Sequence, residues 1–103
     1  MQVNIVTKHV SDRKKEEFTS YFDKKIPRIE KLTTHFADDA VLLTATLEYF
    51  EKHDAYRANL RMEVPSNTLV AEESAHSVTK GVDDAVDRLV LQLKDHLDKL
   101  RSS

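Results

Sequence analysis

The fold is decided by the clearest alternation of apolar and polar residues in the chain, Tyr56-Arg57-Ala58-Asn59-Leu60-Arg61-Met62-Glu63-Val64. Successive side chains on a strand point to opposite faces, so this pattern predicts a strand with one buried face and one open face. Pro65-Ser66-Asn67 then predicts a tight turn, because proline cannot continue a ladder of hydrogen bonds and asparagine tolerates left-handed geometry. Residues 68–72 supply the last strand.

From about His76 the apolar residues recur at helical spacing instead. They predict a helix of about 25 residues, roughly 37 Å long, whose last turns project past the sheet. Its apolar face consists of Val78, Val82, Ala85, Val86, Leu89, Leu93, Leu97 and Leu100. Val90 and Leu91 depart from this face, and Leu91 points away from the core. Ser74 and Ser77 are candidates for capping the helix start.

The first half of the chain adds two strands and a helix. Residues 2–8 and residues 41–49 alternate as strands do. Between them, Ser11 or Asp12 can cap a helix whose buried face is formed by Phe18, Phe22, Ile26 and Ile29. Pro27 predicts a kink in this helix or a fresh start with the proline at its first position.

The resulting order is strand, helix, three strands, helix. This order predicts an α+β fold in which both helices pack on one face of a four-stranded sheet, an arrangement like that of double-stranded-RNA-binding domains. The length, 103 residues, suits one small domain.

Composition excludes several classes of protein. The absence of cysteine excludes disulfide scaffolds, thiolate zinc sites and cysteine nucleophiles. A single glycine argues against a glycine-rich phosphate cradle. No apolar run approaches the roughly 18 residues of a membrane span, and residues 1–4 lack the features of a signal peptide. We therefore expect a soluble cytoplasmic protein that does not bind membranes.

The residues offer no catalytic or metal-binding pattern. No two of the five histidines have the i, i+4 spacing of a helical metal site. Asp83, Asp84 and Asp87 are interpreted as solvated charges on the outer side of the last helix. Arg57 and Arg61 are expected to project from the open sheet face, where Glu48 can pair with one of them. We expect neither an enzyme nor a cofactor.

The distribution of charge is uneven, although the net charge is only −2. Basic side chains outnumber acidic ones in residues 11–32, and the balance reverses in residues 33–79. Such a separation can build a local positive surface in an acidic protein. The alternative is that these charges only solubilise the helices.

Three segments together resemble a known family. The most specific is a proline turn followed by a Leu-x-Ala-x-x-x-Ala strand, Val64-Pro65-Ser66-Asn67-Thr68-Leu69-Val70-Ala71-Glu72-Glu73-Ser74-Ala75. The last helix contributes Gly81-Val82-Asp83, Arg88-Leu89 and Gln92-Leu93. The first helix contributes Phe18, Tyr21, Phe22, Lys25, Ile26, Arg28, Ile29, Glu30 and Lys31. On these residues the chain resembles the short-form ribosome hibernation promoting factors, also called ribosome-associated inhibitors or sigma-54 modulation proteins.

The resemblance implies a cytoplasmic bacterial factor that binds the small ribosomal subunit near the decoding centre. Such a factor contacts ribosomal RNA with its helices and silences translation in stationary phase or stress, without catalysis, a cofactor or a small-molecule substrate. Residues 1–103 are then expected to form a single ribosome-binding domain without the C-terminal dimerisation domain of the long forms. The candidate phosphate ligands under this hypothesis are Lys24, Lys25, Arg28, Lys31, Arg88, Lys94, Lys99 and Arg101.

The last helix departs from the family pattern, which is usually rich in lysine and arginine after its Lys-Leu-x-x-Gln core. Here Val90 and Leu91 lie inside that core, and Asp95 and Asp98 interrupt the cations that follow. Phosphate binding scales with the number of basic contacts, so we expect a weaker affinity for the ribosome. The alternative hypothesis is a non-catalytic interaction module of the same fold, with weak or no RNA binding. It would use Val90, Leu91 or an exposed sheet edge to associate with itself or with a partner.

Overall fold

The computed structural model describes residues 1–102. The strands and helices follow the predicted order, with the first helix divided in two. Their bounds are β1 (Gln2–Lys8), α1 (Asp12–Asp23), α2 (Ile26–Glu30), β2 (Leu42–Phe50), β3 (Ala55–Val64), β4 (Asn67–Ala75) and α3 (Val78–Ser102). Short 3-10 turns at Asp38–Ala40 and Glu51–His53 precede β2 and β3.

The strands form one sheet in the order β1-β2-β3-β4. The last three are antiparallel neighbours joined by short turns, whereas β1 runs parallel to β2 and reaches it through α1 and α2. Residues in register share a face, so two rows of side chains run across the sheet toward the helices. These rows are Val3–Leu43–Met62–Leu69 and Ile5–Ala45–Leu60–Ala71.

The core lies between the sheet and the helices. Phe18 and Phe22 of α1, Ile29 of α2 and Leu89 of α3 are fully buried, and they pack against the sheet rows above. Ser11 caps α1, because its Oγ accepts the backbone N–H of Lys14 at 3.3 Å. The predicted α+β fold, with both helices on one face of a four-stranded sheet, is confirmed.

Pro27 restarts the first helix rather than kinking it. α1 ends at Asp23, and α2 begins at Ile26 with Pro27 within its first turn. Proline is tolerated in a first turn, because the backbone N–H that it lacks would have no partner within the helix there. The new helix therefore begins one residue earlier than predicted.

The β3–β4 turn differs from the prediction in one detail. Val64 pairs with Asn67, so the turn consists of Pro65 and Ser66, and the left-handed residue is Ser66 with φ of 65°. Proline followed by a residue of positive φ is the pattern of a type II turn. Asn67 instead opens β4, which continues to Ala75 and is longer than residues 68–72.

The apolar face of α3 also needs correction. Val90 is buried at 3% exposure, because it faces the side of α3 toward α1 and α2, whereas Leu100 near the helix end is 45% exposed. Leu91 is 68% exposed, as predicted. Ser77, not Ser74, caps the helix through the backbone N–H of Lys80. No helix within residues 1–102 combines the length and the apolar character needed to cross a membrane.

Candidate nucleic-acid interface

The eight predicted phosphate ligands all belong to the helical layer of the molecule. Lys24 and Lys25 form the break between α1 and α2, Arg28 lies in α2, and Lys31 follows it directly. The other four belong to α3: Arg88, Lys94, Lys99 and Arg101.

Helical geometry divides the α3 cations between two flanks, since each residue advances by about 100° around the axis. Lys94 and Arg101 lie within about 40° of Asp87, whereas Arg88 and Lys99 lie about 100–120° away from it. Asp87 contacts α2, and Arg88 contacts Glu73 of β4. We call the group on the α2 flank the cationic strip, which consists of Lys24, Lys25, Arg28, Lys31, Lys94 and Arg101.

A three-residue cluster joins the start of the strip to α3. The Tyr21 hydroxyl lies 2.8 Å from both carboxylate oxygens of Asp83, and Lys25 Nζ lies 3.1 Å from one of them. Lys25 Nζ also lies 4.8 Å from the centre of the Tyr21 ring, within range of a cation–π contact. One tyrosine and one lysine therefore attach the end of α1 to the second turn of α3.

The charges of this cluster stabilise each other. The hydrogen bond to Asp83 raises the pKa of Lys25 and outweighs its desolvation. Burial raises the pKa of Asp83, but the hydrogen bonds from Tyr21 and Lys25 together lower it more, so that the net pKa lies below the ordinary value. Both groups are thus held in their charged forms.

A second interhelical pair lies next along the strip. Arg28 Nη1 is 2.6 Å from Asp87 Oδ1, and the two side chains remain 46% and 60% exposed. The contacts Lys25–Asp83 and Arg28–Asp87 advance in the same direction along both elements. Lys31 therefore lies toward the C-terminal half of α3, which includes Lys94.

The eight candidate cations differ in whether they have an acidic partner. Lys99 Nζ pairs with Asp95 at 3.2 Å, and Arg88 Nε pairs with Glu73 at 3.1 Å. Four of the eight side chains have no ion-pair or hydrogen-bond partner within residues 1–102, and all four belong to the cationic strip: Lys24, Lys31, Lys94 and Arg101. Of the predicted ligands, these four are the most available to an anionic partner.

The interpretation of Asp83, Asp84 and Asp87 as solvated charges leaves out the contacts that two of them make, although Asp83 and Asp87 remain 43% and 60% exposed. Asp83 and Asp87 bridge to α1 and α2, and only Asp84 pairs within α3, with Lys80. The i, i+4 spacing of Asp83 and Asp87 was a usable signal, because it matches the three-residue spacing of Lys25 and Arg28 on the facing element. The sequence did not show which two faces pack together.

The open face of the sheet also carries cations. One of them, Arg57, already forms an ion pair and a cation–π contact with neighbouring side chains. Arg57 lies with its guanidinium 4.5 Å from the centre of the Phe50 ring and its Nε 3.8 Å from Glu72. Asn59 donates to the same carboxylate at 3.3 Å. Arg57, Asn59 and Arg61 share this face as predicted, but the acidic partner is Glu72 on β4 instead of Glu48.

The side chains that could ligate a metal ion are dispersed over the residues that the structure describes. Among the residues that the structure describes, no three histidine or carboxylate side chains come together as a metal site would require.

Comparison with known proteins gives a consistent family assignment. The chain is similar in fold to the N-terminal domain of Protein Y from Thermus thermophilus, with 23% sequence identity, a TM-score of 0.69, and coverage of 93% of this chain and 99% of that one. It is equally similar to a ribosomal subunit interface protein from Coxiella burnetii, with 17% identity, a TM-score of 0.69, and coverage of 95% and 99%. A comparison with curated protein sequences finds no match. The family model described as sigma 54 modulation protein / S30EA ribosomal protein matches residues 3–101, and the chain therefore belongs to that family.

Proposed function

We propose that this protein is a ribosome hibernation factor that binds the small ribosomal subunit near the decoding centre and silences translation under stress or in stationary phase. It acts in the cytoplasm by occupying ribosomal RNA and performs no catalysis. Membership of the family supports the association with ribosomes. The cationic strip is the observation from which we propose the particular residues that bind ribosomal RNA.

The strip has the properties of a surface that recognises phosphates. Its cations come from the break between α1 and α2, from α2 and the residue after it, and from α3, so they can follow a nucleic-acid backbone over a distance that a single side chain could not span. Lysine and arginine bind phosphates through charge, and this attraction depends little on base sequence. Lys24, Lys31 and Lys94 are available without breaking an existing pair.

Lys25 and Arg28 take part by exchanging partners. Each now contacts an aspartate that is itself more than 40% exposed. A phosphate that approaches from solvent can therefore replace the carboxylate, or share the cation with it. This exchange costs part of the binding free energy.

The test is co-sedimentation with isolated small subunits across a salt series. Lys24→Glu with Lys31→Glu reverses two cations that have no partner among residues 1–102. Because both residues cap helix C-termini, we expect the free energy of unfolding to fall by only about 1 kcal/mol, so the protein stays folded. Reversal of Lys25 and Arg28 is less suitable, because it would place new carboxylates beside Asp83 and Asp87 and separate the helices. We expect the Lys24/Lys31 variant to bind at least about tenfold more weakly. Its salt slope should fall by about one unit for each phosphate that the variant no longer binds.

The matched control is Lys52→Glu with Arg61→Glu, which changes the net charge equally at two exposed cations outside the helical layer that have no ion-pair partner within residues 1–102. We expect this variant to stay within about threefold of the wild type, since net charge alone acts weakly through the screening salt. Equal reductions in the two variants would contradict binding through the helical layer. Unchanged binding in both variants would contradict binding through the cationic strip, and no binding by the wild type would contradict the proposed function itself.

A further inference from the structure

The two edges of the sheet are protected very differently. Along β4, three side chains of α3 at successive turns contact the edge strand. Gln92 Nε2 donates to the Val70 carbonyl at 2.7 Å, and Arg88 pairs with Glu73. His96 Nδ1 lies 3.3 Å from Asn67 Nδ2. α3 thereby engages the edge of β4 and leaves less room there for another strand.

In the part of the chain that the structure describes, no helix side chain contacts the edge of β1 in this way. Gln2 donates its N–H to the Val41 carbonyl at 2.9 Å, so Gln2 and every second residue after it face β2. The residues between them, Val3, Ile5 and Thr7, therefore direct their N–H and C=O groups away from the sheet. Within residues 1–102 these outward groups have no hydrogen-bond partner.

The side chains of β1 do nothing to discourage pairing. The strand has no proline and no bulge, and Lys8 at its end is its only charged residue. Val3 and Ile5 on the helix-covered face are only partly buried, and Val6 on the open face is 38% exposed. An additional strand would cover apolar surface on both faces as well as the unpaired backbone.

We propose that a second copy of this chain pairs with β1, strand against strand and antiparallel, about a two-fold axis at Ile5. In this register Ile5 faces Ile5 of the second copy, and Val3 faces Thr7. Every outward residue then meets another outward residue, and the three pairs exchange about six hydrogen bonds. The arrangement is isologous and therefore closes at the dimer.

The charges along β1 favour a second copy of this chain as the additional strand. The register places Lys8 opposite Gln2 and Asn4 opposite Val6, so no like charges face each other across the new ladder. Helices of both copies stay on the same face of one continuous sheet. On that face Ile5 of one copy packs against Ile5 of the other, and Val3 lies diagonally across from it. A single strand pair buries little surface, so the dimer is weak and forms only at high protein concentration. This inference does not rest on the proposed function.

Sedimentation velocity over a wide range of protein concentration provides the test, since dimerisation follows mass action. The wild type should pass from monomer to dimer as concentration rises. Asn4→Lys with Val6→Lys places lysines opposite lysines across the ladder, on side chains that point to solvent. We expect this variant to dimerise at least about tenfold more weakly. A wild type that stays monomeric at all concentrations would overturn the proposal.

Two further samples make the test specific. Thr68→Lys with Val70→Lys adds the same charges to the open face of β4, the covered edge, and should dimerise as the wild type does. Asn4→Glu with Val6→Glu should be monomeric alone and should form a heterodimer when mixed with the Asn4/Val6 lysine variant. A dimer that persists in the Asn4/Val6 lysine variant but disappears in Leu91→Ser would place the contact on α3 and overturn the proposal.

Discussion

On the covered face of the sheet, Leu43, Leu60 and Ala71 have no exposure to solvent, whereas on the open face their neighbours Arg61 and Val70 are exposed. The two sets alternate along the same strands, so each strand specifies both surfaces. The open face holds charges in local contacts, such as that between Arg57 and Glu72. The helical layer that covers the other face buries the core on its inner side. On its outer side it presents cations that have no acidic partner within residues 1–102.

One helix can therefore serve stability and binding through different flanks. In α3, residues a single position apart have opposite environments, as Val90 and Leu91 do. A substitution on the inner flank should affect unfolding, and one on the outer flank should affect binding. Variants of α3 can test whether its inner flank determines stability and its outer flank determines binding. The largest effect is expected on the buried inner flank.

Leu89→Ala should lower the free energy of unfolding by roughly 2–5 kcal/mol, because Leu89 is fully buried between α3 and the sheet. Leu91→Ala is the matched control, since it removes the same atoms from the same helix at an exposed position. It should change the free energy of unfolding by no more than about 0.5 kcal/mol. Chemical denaturation measures both, and an unchanged midpoint for Leu89→Ala would contradict the packing described above.

Asp87→Asn should strengthen binding to small subunits about threefold and steepen the salt dependence by about one unit, because it releases Arg28 for phosphate contact. Asp84→Asn removes the same charge from α3, but Asp84 pairs with Lys80, outside the cationic strip. Binding measured across a salt series should therefore change less for Asp84→Asn. Equal gains in the two variants would show that net charge, and not release of Arg28, determines affinity.

Asp83→Asn should destabilise the protein slightly at neutral pH, and the difference from the wild type should vanish in acid. The pKa of Asp83 is lower in the folded state than its ordinary value. Its ionised form therefore favours folding above the unfolded pKa, and that contribution is lost as pH falls below about 4 through the folded pKa. Thermal unfolding followed from pH 7 to pH 2 should show the two curves converging. A difference that stays constant with pH would rule out the carboxylate charge as its cause.

The sequence predicted the strands well because burial of one sheet face makes apolar and polar residues alternate along each strand. This alternation can be read from neighbouring residues alone. The alternation of residues 56–64 and the helical period after His76 are both such local patterns. Val90 could not be assigned in the same way. It lies outside the stripe that faces the sheet, and its burial depends on where α1 and α2 pack against the flank of α3.

For the candidate site, the sequence could predict which basic residues take part but not most of their contacts. The sequence supplied all eight cations, and helical periodicity gives the flank of each α3 cation and the local pair Lys99–Asp95, but the sequence does not show which cations pair with residues distant in the chain. Pairs such as Lys25–Asp83 join residues far apart in the chain, and nothing in a local pattern encodes their contact. The division between available and engaged cations is therefore a property of helix packing.

The parallel pairing of β1 has a consequence for how the chain folds. β2, β3 and β4 are consecutive in the chain and can form as two hairpins, which close short loops. β1 finds its partner only after the chain has returned across about 40 residues, since Gln2 pairs with Leu42. We therefore expect the antiparallel sheet of β2, β3 and β4 to form first and β1 to pair with it later. Until β1 pairs, the edge of β2 that will receive it has unpaired backbone groups. The β1 side of the sheet is therefore the side most vulnerable to mispairing, both in a newly made chain and in the folded protein.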